Sequence, residues 1–184
     1  MTFWEEQMAH EQTRKYYEKL KEIIYSITDV HALKIIDGKY KEVMLGVLEI
    51  GLDVGISARC FLEFHNINLT SVDSGDVDGG IKNIKALDVG DRWTFHPMKS
   101  DDFFDQNKKE FDIIYIDGLH TYGQVKRDAN NAWKFLKPGG VLIGHDVIHK
   151  SNYTNDSDCG VSQAFAEFID ENNVGRISIR PIQD

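Results

Sequence analysis

Cysteine is scarce in this sequence, clusters of positive charge are missing, and no apolar run is long. The 184 residues contain Cys60 and Cys159, neither in a CxxC pair, so no disulfide framework holds the chain together. No stretch approaches the roughly 20 apolar residues needed to cross a bilayer, which excludes a membrane-spanning helix. The opening segment, MTFWEEQMAHEQTRK, lacks the basic-then-apolar layout of a signal peptide. These absences predict a reduced, cytoplasmic protein with no membrane partner. A formal net charge of −9, with no run of Lys and Arg, repels phosphate backbones and argues against nucleic acid as a partner. Internal repeats, low-complexity tracts and linkers are also missing, so one compact unit is expected.

What is present is an ordinary globular mixture, 41% apolar and 28% charged. Residues 3–27 read as a helix, with Leu20, Ile23, Ile24 and Ile27 at three- and four-residue spacing. Residues 28–42 are ambiguous and read as a second short helix broken at Asp37-Gly38. Beyond them, short β-rich runs alternate with helical stretches, the pattern of a parallel sheet with crossover helices. The runs are 44–50, 69–73, 92–96, 111–117, 139–146 and 175–180. Among the helices, Val125, Ala129, Ala132, Trp133 and Leu136 share one face, as do Val161, Phe165 and Phe168. Pro138-Gly139-Gly140 reads as a turn between a helix and the next strand. The expected organisation is an N-terminal helical cap, residues 1–43, on an α/β unit, residues 44–184.

The segment VLEIGLDVG leads from a buried strand into Gly51 and Gly55 and then a helix. Glycines at that junction let backbone amides approach a ligand closely. The dinucleotide fingerprint GxGxxG is not there; Leu52, Asp53 and Val54 separate the two glycines, and Asp53 would sit badly against a pyrophosphate. A positively charged sulfonium ligand with an amino-acid tail tolerates that acid. The next strand ends at Asp73, twenty-four residues after Glu49. An acid there can accept both hydroxyls of a ribose. Together these features point to an adenosine-containing ligand.

The chain resembles the class I S-adenosylmethionine-dependent methyltransferases, most closely the small-molecule O-methyltransferase-like group with an IDGxHxY segment. VLEIGLDVGIS (47–57), IIYIDGLHTYGQVKRDANNAW (113–133) and LKPGGVLIGHD (136–146) carry the resemblance, which covers about residues 44–170. It implies a Rossmann-like, doubly wound, mostly parallel sheet of six or seven strands with helices on both faces. It also implies methyl transfer to a small-molecule acceptor, with a hydroxyl as the accepting group. By the same resemblance the turn from Gly51 to Gly55, with Ser57 after it, passes beneath the methionine part of the cofactor. Glu49 lies near the cofactor's amino group, Asp73 binds its ribose, and Met98, Lys99 and Ser100 lie near its adenine. Relatives often carry Gly-Asp-Ser at those last three positions, where this chain reads Met-Lys-Ser.

In this fold the strands ending at Asp117 and Asp146 are neighbours, so their carboxylates converge on one edge and offer a site for Mg²⁺. Catechol-type relatives bind metal through the residue matching Asp117 and an Asp-Asn-like pair that here is His145-Asp146. The imidazole of His145 leaves a transition metal, or none, as alternatives. His120 stands just past Asp117 and can act as a base toward a substrate hydroxyl, ligate the metal, or pair with Asp128 as a loop histidine. For His149 a purely structural role is expected. Tyr122 fits either the cofactor side or the core, and Trp133 reads as core.

Relatives close the sheet with an antiparallel hairpin, whereas here only GRISIR (175–180) follows the last helix. An edge left open that way could pair with a second subunit in a homodimer. Loop 147–160 is polar and placed to cover a substrate. Trp4, Tyr16, Tyr17 and Tyr25 of the N-terminal segment could form a cap over the site or a dimer surface. Three rival readings remain. A nicotinamide-dependent oxidoreductase is disfavoured by the missing third glycine and Tyr-x-x-x-Lys pair. A non-catalytic relative would keep the fold without turnover. A hydroxylase-like relative would share the His-Asp strand ending and require a redox metal and oxygen.

Overall fold

The computed structural model describes residues 3–36, 39–147 and 160–174. The N-terminal segment forms two helices, α1 (Phe3–Ala9) and α2 (Glu11–His31), broken at His10, whose backbone is extended. Residues 28–42 do not form the second short helix the sequence suggests. After α2 the chain makes an antiparallel hairpin, β1 (Leu33–Ile36) and β2 (Lys39–Glu42), with Leu33 opposite Glu42. The Asp37-Gly38 break falls between the two strands, where Ile35, Ile36 and Tyr40 favour the extended form although Lys39, Lys41 and Glu42 do not.

The remaining elements alternate as expected: β3 (Leu45–Ile50), α3 (Ile56–Leu62), β4 (Ile67–Asp73), α4 (Asp78–Lys85), β5 (Trp93–Pro97), α5 (Ser100–Gln106), β6 (Phe111–Ile116), α6 (Tyr122–Phe135), β7 (Leu136–Gly144) and α7 (Val161–Asn172). All of the central strands run parallel in the order β5-β4-β3-β6-β7, a doubly wound arrangement. The described sheet thus has five strands rather than six or seven; the GRISIR segment lies outside the described residues. Strand order reverses between β3 and β6, and in open sheets of this kind ligands bind at the carboxyl ends of the strands beside that switch point.

Helices cover both faces, so β6 is buried along its whole length and β3 nearly so. On one face Leu20 and Ile24 of α2 join Phe61 of α3, Ile84 of α4, and Val47, Leu69, Ile113 and Tyr115 of the sheet. On the other, Phe103, Phe104, Val125, Ala129, Phe165 and Phe168 cover Leu48, Ile50, Ile114 and Ile116. Trp133 departs from the expected core role: it is 40% exposed and touches Phe168 edge-on. Asp112 is the one charged residue of β6; Lys137 balances its charge at 2.7 Å, and the Gly46 amide donates to it at 2.8 Å.

Pro138-Gly139-Gly140 is not a turn between elements. α6 passes directly into β7, whose register with β6 jumps from Phe111↔Leu136 to Ile113↔Val141. The segment is an irregularity within the strand, and Gly139 takes a positive φ of 79° there. No described helix is long and apolar enough to cross a membrane.

Candidate functional site

The glycine turn is held tightly at the switch point. Gly51 has φ 96°, and a Cβ on it would come within 2.1 Å of the Asp117 carbonyl oxygen, so only glycine fits between β3 and the end of β6. Gly55 has φ 80° and precedes α3. Asp73, at the tip of β4, accepts the Leu52 amide at 2.8 Å and the Asp53 amide at 3.2 Å through Oδ2, and the Gly75 amide at 2.8 Å through Oδ1. Its carboxylate therefore ties the turn to β4; Oδ2 is filled by its two amides, and Oδ1 keeps lone-pair capacity for a further donor.

Register places Ser71, Glu49 and Tyr115 side by side on β4, β3 and β6. Glu49 is fully buried, and its two oxygens accept hydroxyl protons from Ser57 and Ser71, both at 2.6 Å. Burial pushes its carboxyl up to about 8, against the pull of those hydroxyls. Trp93 steadies Ser71 with an indole N–H bond of 3.1 Å.

At the ends of β6 and β7 a second cluster forms. Oδ1 of Asp117 lies 3.1 Å from His120 Nε2 and 2.9 Å from His145 Nδ1, and Oδ2 accepts the Tyr115 hydroxyl at 3.0 Å. The contact with His145 is close but off the direction of a hydrogen bond, leaving a buried ring nitrogen without a hydrogen-bond partner. Burial disfavours the Asp117 carboxylate, but the two imidazoles and Tyr115 outweigh it and hold the acid below its usual range. Asp117 in turn raises His120, chiefly by its hydrogen bond, and raises His145 despite that ring's burial. Asp146, in a left-handed conformation at φ 52°, puts Oδ2 3.8 Å from Nδ1 of each ring.

The structure thus gathers Asp117, His120 and His145, with Asp146 at their edge. Ligand atoms of the first three lie within 4.8 Å of one another. His120 does not pair with Asp128. The buried Asp128 binds Gln124 at 3.0 Å, and Gln124 also reaches Ser100 at 3.1 Å, tying the start of α5 to α6. Lys99 is the residue before α5. Tyr122 turns away from the switch point, its hydroxyl 2.5 Å from Glu167 on α7. His149, Cys159 and most of loop 147–160 lie outside the described residues.

Two site residues escape motif reading. Tyr115 sits within an apolar strand, where its hydroxyl looks incidental. Tyr16 comes from α2, one turn before Leu20, and reaches the site with its hydroxyl 2.6 Å from that of Tyr115 and its ring edge-on to His145 at 5.0 Å. Aromatic content in residues 1–43 was the signal for a cap; which of four aromatics enters the site is decided by packing.

A parallel sheet in this order, with a glycine turn at its switch point and an acid at the tip of β4, defines a Rossmann-like fold of the kind that binds an adenosine-containing ligand. The sequence profile described as a methyltransferase domain matches residues 48–147. The chain belongs to that family and is an S-adenosylmethionine-dependent methyltransferase. Solved structures agree in fold. An O-methyltransferase from Bacillus cereus, crystallised in complex with S-adenosylhomocysteine, superposes with a TM-score of 0.63 at 18% identity, over 84% of this chain and 68% of that one. An O-methyltransferase family protein from Burkholderia thailandensis gives 0.60 at 15% identity, over 95% and 59%. A TDP-rhamnose 3'-O-methyltransferase of calicheamicin biosynthesis gives 0.64 at 10% identity, over 95% and 77%. No curated protein sequence matches the chain significantly.

Proposed function

We propose that this protein methylates a hydroxyl of a small-molecule acceptor, and that the acceptor is handled at the Asp117–His120 pair. The observation that carries the reading is the 3.1 Å contact between Asp117 Oδ1 and His120 Nε2 at the carboxyl edge of β6. With Asp117 held as a carboxylate, Nε2 carries the proton of the neutral ring and Nδ1 is left as the base. His120 then takes the proton of the acceptor hydroxyl as its oxygen bonds to the methyl carbon, and Asp117 stabilises the imidazolium that forms. S-adenosylmethionine supplies the electrophilic methyl group and departs as the thioether. On the cofactor side, Gly51 and Gly55 permit close backbone approach, and Glu49 and Ser57 face the methionine end. Asp73 accepts from the ribose, and Lys99 and Ser100 lie toward the adenine.

The same cluster suits a divalent ion. The buried Nδ1 of His145, close to Asp117 but without a hydrogen bond, is the kind of atom a metal satisfies, and two imidazoles with one carboxylate favour a transition ion over Mg²⁺. Asp117, His145 and His120 would hold it, with Asp146 adjacent; such an ion would lower the pKa of an acceptor hydroxyl.

The test is transfer of labelled methyl from S-adenosylmethionine to a panel of hydroxylated acceptors, run with EDTA and with added Mg²⁺, Mn²⁺ or Zn²⁺. Methylation of hydroxyl acceptors that fails in His120→Ala supports the reading; transfer only to amines, or full activity in that variant, overturns it.

A further inference from the structure

One stretch of chain, residues 73–83, holds the glycine turn by its amides and by its carbonyls. Asp73 accepts the Leu52 and Asp53 amides. Further along, Asn83 of α4 donates from Nδ2 to the Val54 carbonyl at 3.2 Å. Asn83 is only 6% exposed, and its Oδ1 accepts from Nη1 of Arg59 on α3 at 3.4 Å. A carbonyl needs the amide nitrogen and a guanidinium needs the amide oxygen, so the two contacts admit one orientation of this side chain. Arg59 is held in turn by Trp4 of α1, whose ring centroid lies 4.0 Å from the guanidinium carbon. Gly80, one helical turn before Asn83, lets α4 lie directly on the turn. A Cβ there would fall 2.3 Å from the Asp53 carbonyl oxygen and 3.2 Å from the Gly55 amide nitrogen. Asp53 itself has a left-handed φ of 44°, a conformation that a residue with a side chain keeps where its surroundings impose it. The contacts from Asp73, Gly80 and Asn83 supply that constraint.

We propose that Asn83 is a cofactor-positioning residue. Without touching S-adenosylmethionine, it fixes the Val54 carbonyl and so presets the turn on which the methionine end of the cofactor lies. The proposal rests on the cofactor placement given under Proposed function. It gives the buried amide of α4 a part in binding, and it makes Trp4 and Arg59 the support of that amide.

The experiment is calorimetric titration of the full chain with S-adenosylhomocysteine, in the wild type, Asn83→Asp, Asp73→Ala and Gly139→Ala. Aspartate keeps the shape of Asn83 and an oxygen for Arg59, but it sets a second oxygen against the Val54 carbonyl. Asn83→Asp is expected to weaken binding by about 5-fold or more, measured where circular dichroism shows the protein folded. Gly139→Ala, whose strain lies in β7, should bind as wild type, because lost stability alone leaves the affinity of folded protein unchanged. An equal loss in Gly139→Ala overturns the assignment. Wild-type affinity in Asn83→Asp beside a weakened Asp73→Ala overturns the role of Asn83 and leaves the cofactor placement standing. Wild-type affinity in both overturns the placement itself. If Asn83→Asp does not fold, Gly80→Ala, which presses on the Asp53 carbonyl, must show the same loss. In the wild type, the side-chain amide resonance of Asn83 must also shift on saturation with S-adenosylhomocysteine; a resonance that stays in place overturns the assignment.

Discussion

Asp73 and Leu52 are joined by a 2.8 Å bond from the Leu52 amide to Oδ2 of Asp73, so the proposed ribose acid is also the clasp of the glycine turn. Asp73→Ala removes both roles. It should weaken S-adenosylhomocysteine by about 1–3 kcal/mol, the usual cost of charge-assisted bonds, and should also lower the melting temperature of the free protein. Asp73→Asn keeps an oxygen for the two turn amides. Its melting temperature should stay closer to wild type while its affinity falls. Normal binding by Asp73→Ala would refute the ribose placement.

Asp117 is the common partner of His120, His145 and Tyr115. Asp117→Ala should abolish turnover and leave S-adenosylhomocysteine affinity within a few-fold of wild type, because the two histidines it holds serve the acceptor rather than the cofactor. Elemental analysis after metal loading should show bound transition ion in the wild type and none in the variant. A variant that turns over normally would remove Asp117 and His120 from the reaction.

Glu49 ties stability to pH. Its folded carboxyl is raised to about 8 from an ordinary 4.5, so the folded state holds a proton that the unfolded state gives up between those values. That contribution is fully present below pH 4.5 and is lost as pH rises to 8, at up to about 1.4 kcal/mol per pH unit. Glu49→Gln cannot ionise, so denaturant midpoints for that variant should fall less steeply than wild type across pH 5–8. Parallel curves would show that Glu49 is ionised in the free protein.

Gly51 leaves no room for a side chain. With φ 96° and the Asp117 carbonyl oxygen 2.1 Å from a built Cβ, Gly51→Ala forces backbone apart at the switch point. A loss on the order of 3 kcal/mol or more is expected, together with loss of cofactor binding. Gly139, whose Cβ would meet nothing within 4 Å, carries only the positive-φ cost at 79°, so Gly139→Ala should be milder, on the order of 1 kcal/mol. Equal melting temperatures for the two variants would contradict this ranking.

The alternation of apolar runs and amphipathic stretches determined the α/β fold, because a sheet covered on both faces leaves near-continuous apolar strands that stand out in one dimension. The glycines at 51 and 55, Asp73, Asp117 and the His145-Asp146 strand ending were likewise legible, since each lies at the end of a β-rich run. The hairpin at 33–42 was not: its four-residue strands are too short to show a period, and they follow directly on a helix. Nor was the strand irregularity at Pro138-Gly139-Gly140, whose residues carry the same local signal as a turn. What tertiary structure alone decided is who meets whom across the sheet. Register set Ser71, Glu49 and Tyr115 abreast, and helix packing brought Tyr16 to Tyr115, ninety-nine residues away. Pairing between strands and the rotation of a helix on a sheet are fixed by the shape of the whole core. No local pattern contains them.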